Sequence, residues 1–118
     1  MTNRDIVTAW VHGYRKAWES NDPVDIRAIF TEDAIYAHRP HDPHPAVGIE
    51  AIVADWLEHA DGPGTTQFAW HIVAVDGDAA VLQCLVTYPD TVYDNLWVVR
   101  FAEDGRASEY TDWWVTRS

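Results

Sequence analysis

The sequence predicts an α+β fold, and three observations predict it. Helical hydrophobic periodicity is confined to the first half of the 118 residues. Everything after Gly64 reads as extended strand, in segments rich in Val, Trp, Tyr and Thr. The links between those segments are short enough to force antiparallel neighbours. Helices segregated from an antiparallel sheet define the class, and the length suits one domain, 1–118, with a core that needs no staples.

The elements follow in order. Ile6, Trp10, Tyr14 and Trp18 recur every four residues, with Val7 and Val11 beside them, so residues 3–20 predict a helix with one apolar stripe. Thr2 and Asp5 stand at capping-box spacing, with Asp in place of the usual Glu. Asn21-Asp22-Pro23 ends this helix and starts a short second one, Asp22 as cap and Pro23 at the first helical position, with Ile26, Ile29 and Phe30 as its buried stripe. Ala34 to His38 predicts a strand. Arg39-Pro40-His41-Asp42-Pro43-His44-Pro45 is barred from helix and central strand by its prolines. Ile49, Ile52, Val53, Trp56 and Leu57 then give a third helix over about 49–60, broken by Asp61-Gly62-Pro63-Gly64. Four long strands follow: Thr65–Val75, Ala79–Tyr88, Val92–Ala102 and Arg106–Thr116. Asp76-Gly77 and Asp104-Gly105 supply hairpin turns, and Pro89-Asp90 the middle connection.

Composition excludes whole classes of partner. The formal net charge is −11, from 8 Lys and Arg against 19 Asp and Glu. Phosphate neutralisation needs a basic face, which eight scattered cations do not supply, so neither nucleic acid nor an anionic membrane is an expected partner. At 47% hydrophobic residues with seven Trp, the chain is no disordered acidic tail. One cysteine, Cys84, permits no internal disulfide; the reading is a reducing, cytoplasmic compartment. Met1-Thr2-Asn3-Arg4-Asp5 opens no secretory leader, and no apolar run is long enough to span a bilayer.

Three stretches carry a resemblance. Tyr14-Arg15-Lys16-Ala17-Trp18-Glu19-Ser20-Asn21-Asp22, Ile29-Phe30-Thr31-Glu32-Asp33-Ala34-Ile35-Tyr36 and Gly48-Ile49-Glu50-Ala51-Ile52 follow one another at the spacing seen in the SnoaL-like branch of the nuclear transport factor 2-like superfamily. The likeness covers nearly the whole chain. It implies a cone-shaped barrel, a curved, mixed, mostly antiparallel sheet closed by the three helices of the N-terminal half. It also implies a cavity where the helices leave the concave face unfilled, and a homodimer through the outer sheet face, which carries Leu96 and Val98. The fold hosts ketosteroid isomerases, polyketide cyclases, dehydratases, limonene epoxide hydrolases and pure binding modules, so chemistry must be read from the pocket.

Asp112 shares a strand face with Tyr110 and Trp114. Aromatic neighbours desolvate a carboxylate and raise its pKa toward useful values, and Glu109-Tyr110-Thr111-Asp112 resembles the closing strand of the SnoaL-like and epoxide hydrolase branches, where the Asp acts as acid or base. Tyr14 resembles the tyrosine that donates to the substrate oxygen in isomerase relatives. His38 stands where those isomerases carry a proton-shuttling Asp, and histidine exchanges protons near neutral pH. Asn95 and Trp97 share another face. Trp97 replaces the isomerases' second acid, and neither residue supplies the Arg and Asp of the epoxide hydrolases. Trp18, Tyr36, Trp56, His71, Asn95, Trp97, Tyr110 and Trp114 are the expected cavity residues, while Trp10, Trp18, Trp56 and Trp70 first of all build core. His38, His41 and His44, three apart in a polyproline II stretch, would line one face and invite a zinc reading, against a mobile polar loop over the cavity mouth. We expect no metal and no cofactor. Cys84 alternates with Leu82 and Val86 and reads as buried and inert.

The resulting expectation is a cofactor-free enzyme performing proton transfer on a small apolar carbonyl or hydroxyl compound, cyclic ones included, by isomerisation, dehydration or cyclisation. In it, Asp112 and His38 exchange protons while Tyr14 orients the polar group. The alternative is a ligand-binding or stress-related domain with the same cavity and no turnover.

Overall fold

A computed structural model describes residues 3–117. Helix α1 spans Arg4–Ser20, α2 Pro23–Arg27 and α3 Ile49–Glu58. The strands are β1 Phe30–Ala37, β2 Ala46–Val47, β3 Gln67–Asp76, β4 Ala79–Thr87, β5 Val92–Phe101 and β6 Ala107–Thr116. The six strands form one sheet in the order β2-β1-β6-β5-β4-β3. The β1–β6 pair is parallel and every other pair antiparallel. The sheet is therefore mixed and mostly antiparallel, as the class demands. Hydrogen bonds do not close it, since β2 and β3 remain edges. Register shifts in β1, β3 and at the end of β5 give a long sheet the means to curve around the helices.

Local signals explain the helix ends. Asn3 caps α1, its side chain accepting from the Ile6 amide at 3.0 Å; the Thr2 half of the capping box lies outside the described residues. Asn21 terminates α1 in the left-handed region, φ 51°. Asp22 caps α2, accepting from the Val24 amide at 2.9 Å, with Pro23 at its first position.

Three expectations need correction. Phe30 is the first residue of β1 rather than part of the α2 stripe, because α2 ends at Arg27 and the chain is already extended there. Leu57 faces solvent, since α3 buries only the face carrying Ile49, Ile52 and Val53. The 39–45 loop is not polyproline II: His41 takes φ 56°, and Asp42 binds the amides of both His38 and His44 at 3.0 and 2.9 Å. An Asx-type turn folds the loop back on itself, so the three histidines do not share a face.

The core lies between the α1 stripe and the concave sheet face. Trp10 is its centre, with ring centroids 5.4–6.2 Å from Tyr14, Phe30, Trp97, Phe101 and Tyr110. Its indole N–H donates to the Ile29 carbonyl at 2.8 Å, which satisfies the one polar atom it buries.

Candidate functional site

A cleft of about 760 Å³ is lined by residues of α1, β1 and α3 together with β4, β5, β6 and the β4–β5 connection. Its floor is set by strand register. Trp97 on β5 pairs directly with Asp112 on β6, and Asn95 pairs with Trp114, so the two-residue alternation turns all four inward. Asp112 Oδ1 accepts from Asn95 Nδ2 at 2.8 Å and from Trp97 Nε1 at 3.1 Å. Its second oxygen has no hydrogen-bond partner among the described residues and is the part of the carboxylate left for the cleft. Burial pushes the Asp112 carboxyl above the ordinary Asp range; the two donors and the nearby His38 pull the other way and do not prevail. Asn95 is itself buried, and its side-chain oxygen has no partner.

Two phenols face this floor. Tyr14 from α1 and Tyr36 from β1 place their hydroxyls 3.1 Å apart. Burial, followed for Tyr36 by Tyr14 and for Tyr14 by the Asp112 charge, raises both pKa values well beyond any working pH. Both are therefore neutral donors, and since only one proton sits between them, the other is free to meet a ligand oxygen.

The rim is polar. His38 Nε2 lies 3.0 Å from Asp55 Oδ2, and His59 Nδ1 lies 3.0 Å from the Asp55 carbonyl oxygen, a backbone contact that raises the His59 pKa. Across the mouth, Trp18 Nε1 and the Tyr88 hydroxyl both donate to Asp61 Oδ2, at 2.8 and 2.7 Å. Asn21 ties this side together. Its Nδ2 donates to the Asp61 carbonyl at 2.8 Å and its Oδ1 accepts from Trp56 Nε1 at 3.1 Å.

Of the residues singled out from sequence, Asp112, His38, Tyr14, Trp18, Tyr36, Trp56, Asn95, Trp97 and Trp114 line this one cleft. Two do not. His71 is exposed on the convex face beside Gln67 and Ala69, because the inward parity of β3 belongs to Phe68, Trp70 and Ile72. Tyr110 lies beneath the floor, 1% exposed, its ring 4.7 Å from Tyr36 and 5.4 Å from Trp97, and its hydroxyl finds no hydrogen-bond partner. Sequence reasoning missed Asp55, Asp61, Tyr88 and Asn21. Asp55 and His59 carried a visible signal, a carboxylate and an imidazole four apart on one helix. Asp61 carries no such signal, since Asp61-Gly62-Pro63-Gly64 reads as a helix-breaking turn. Among the described residues, Asp55, Glu58 and His59 are the one group whose donor atoms gather within 4.8 Å, a consequence of helical spacing on the exposed side of α3.

The profile of the SnoaL-like domain family matches residues 11–110. No curated protein matches the chain. Among solved structures, an NTF-2-like protein of unknown function from Burkholderia xenovorans superposes with a TM-score of 0.76 at 15% identity, over 97% of this chain and 86% of that one. A proposed ketosteroid isomerase from Kribbella flavida gives 0.74 at 20% identity, over 97% and 81%. A proposed polyketide cyclase from Sinorhizobium meliloti gives 0.64 at 20% identity, over 88% and 93%. At these identities the likeness establishes the fold.

Proposed function

The chain belongs to the SnoaL-like domain family, and from that premise we propose that it is a small-molecule enzyme moving a proton on an apolar carbonyl or hydroxyl compound without a cofactor. One observation supports this above the others. Asp112 offers one oxygen to the cleft while Asn95 and Trp97 hold the other, and the Tyr14–Tyr36 hydroxyl pair lines the same space. A desolvated carboxylate is a stronger base than an ordinary Asp. In the proposed step its free oxygen takes a proton from the carbon beside a carbonyl, and the electron pair moves to the carbonyl oxygen. The free phenol proton hydrogen-bonds that oxyanion as its charge develops. The Asp112 carboxylic acid then returns its proton, to another carbon in an isomerisation or to a departing hydroxyl in a dehydration. His38 is held by Asp55 at the mouth and serves exchange with solvent.

The test is α-proton exchange into D2O on a fused-ring ketone such as 2-tetralone, followed by NMR. Asp112→Asn is expected to lower the protein-dependent exchange by roughly 10²–10⁴-fold. Unchanged exchange in that variant would refute the assignment. The non-catalytic reading is favoured by a specific observation, that no second carboxylate among the described residues stands beside Asp112 on the floor; tight binding of such ketones with no exchange would establish it. A cytoplasmic location and a homodimer through the convex face, where Trp113 and Val115 are exposed, belong to the same proposal.

A further inference from the structure

We propose that the cleft selects an organic cation: a ring-sized apolar compound carrying a protonated amine. This deepens the substrate class of the proposed reaction and rests on the reading of the cleft as a small-molecule site. The first observation is charge. Four carboxylates line the cleft, Asp55 from α3, Asp61 from the turn after it, Asp90 from the β4–β5 connection and Asp112 from β6. None of the eight Lys and Arg is among the residues that line it, and among the described residues the basic groups on its wall are His38 and His59. Four of the Lys and Arg cations are paired elsewhere, Arg15 with Glu19, Arg27 with Glu50, Arg100 with Asp78 and Glu109, Arg117 with Asp94. An anionic substrate, whether carboxylate, phosphate or a phosphate-bearing thioester, faces four carboxylates here against two histidines.

The second observation is the nature of the walls. Trp18, Trp56, Trp97, Trp114, Tyr88 and Tyr93 line the same space. Indole and phenol faces carry negative charge density and attract ammonium groups, most strongly where water is excluded. One such contact is already present, since the Arg15 guanidinium sits 4.5 Å from the Trp18 ring centroid.

The third observation concerns unused hydrogen-bonding capacity. Asn95 is buried with its side-chain oxygen unpartnered, and Asp112 keeps an oxygen free. The Asn95 oxygen is enclosed, but the free Asp112 oxygen faces the cleft as an acceptor, so the floor asks for a donor, and an ammonium N–H supplies one. Its positive charge would also hold Asp112 in the carboxylate form that the base step requires.

A matched series tests this: 2-naphthylmethylammonium, its uncharged analogue 2-ethylnaphthalene with carbon replacing nitrogen, and 2-naphthylacetate, with affinities read by tryptophan fluorescence. The ammonium is expected to bind about 10–100-fold tighter than the carbon analogue, and the carboxylate weakest. In Asp55→Asn/Asp61→Asn/Asp90→Asn that advantage should fall several-fold while the carbon analogue's affinity holds. Asp90→Asn alone, on an exposed turn, gives a smaller loss and keeps the test open should the triple variant unfold. Equal or tighter binding of the carbon analogue overturns the proposal. So does an advantage that Glu103→Gln/Asp76→Asn, two exposed acids away from the cleft, removes as effectively. Charge preference without α-proton exchange sinks only the enzyme reading; exchange without charge preference sinks only this one.

Discussion

Asp112→Asn removes one charge from the cleft floor and preserves the shape of the side chain. Asn95 Nδ2 and Trp97 Nε1, now 2.8 and 3.1 Å from Oδ1, keep an amide oxygen to donate to. The loss is then the charge-assisted part of two bonds, about 1 kcal/mol each. Set against it is the relief of a desolvated carboxylate, and burial already outweighs those bonds in holding the Asp112 pKa above its ordinary value. A carboxyl whose pKa is raised by folding binds its proton more tightly in the native state. Its contribution to stability is complete below the unfolded pKa, near about 4, and is lost as pH rises through the folded value. Within that window the wild type should lose up to about 1.4 kcal/mol per pH unit relative to the variant, which cannot titrate there. Urea denaturation followed by circular dichroism from about pH 4 to about pH 8 measures the difference. It should move steadily in favour of Asp112→Asn and then level off. A difference independent of pH, or one that moves against the variant, would show that the carboxylate is adequately solvated and that the burial argument is wrong. The exchange assay should run the other way, the more stable protein being the inactive one.

Three further changes test neighbouring parts of the argument. Gly13→Ala puts a Cβ 2.8 Å from Ile29 Cγ2, a buried side chain with little room to yield; overpacking of about 1–3 kcal/mol should exceed the helix-propensity gain of about 1 kcal/mol, and a raised melting temperature would contradict this. Asn21→Ala loses a left-handed helix terminus and two side-chain bonds to the Asp61 side of the cleft. It should cost about 2 kcal/mol in denaturant melts, with Asn21→Gly recovering only the backbone share. Tyr14→Phe keeps the ring contacts with Trp10, Trp56 and Trp97. It should leave stability within about 1 kcal/mol and slow α-proton exchange by about 10–100-fold, and a loss of binding without a loss of rate would contradict the donor role.

Local periodicity carried most of the fold and half of the site. Alternation along β5 and β6 groups Asn95 with Trp97, and Asp112 with Tyr110 and Trp114, because parity within a strand needs no knowledge of what the strand packs against, and the structure turns both groups inward. Parity alone cannot say which face is concave, and His71 shows the consequence: its strand was found and its face was not. Tyr110 failed for a different reason. It shares the inward face with Asp112, but two residues closer to the Trp10 cluster the helices cover the sheet, so the same parity leads into core instead of cleft. Asp55, Asp61, Tyr88 and Asn21 sit on a helix flank and in connections, where position depends on how α3 and the Asp61 turn dock against α1.

The placement of Asp112 conflicts with the rest of the sequence, and the conflict is informative. Nearly every other local choice agrees with the fold: caps at Asn3 and Asp22, left-handed turns at Gly77 and Gly105, and an aromatic cluster around Trp10. Such consistency is what gives a sequence one structure, and exceptions concentrate where function imposes them. A chain selected only for stability would fill the space beside Trp97 with an apolar side chain, removing at once the desolvated carboxylate and the orphaned Asn95 oxygen. Keeping an acid there, with one oxygen fixed by two donors and the other open to a cleft walled by indoles, is intelligible if a bound ligand supplies the missing donor. A ligand with a cationic N–H meets the open Asp112 oxygen with both a donor and a countercharge, whereas a neutral ketone supplies neither. Stabilisation of the wild type by an ammonium ligand, greater in melting temperature than that of Asp112→Asn by the same ligand, is therefore the expected outcome of a thermal-shift comparison; equal shifts would show that the buried acid and the ligand do not meet.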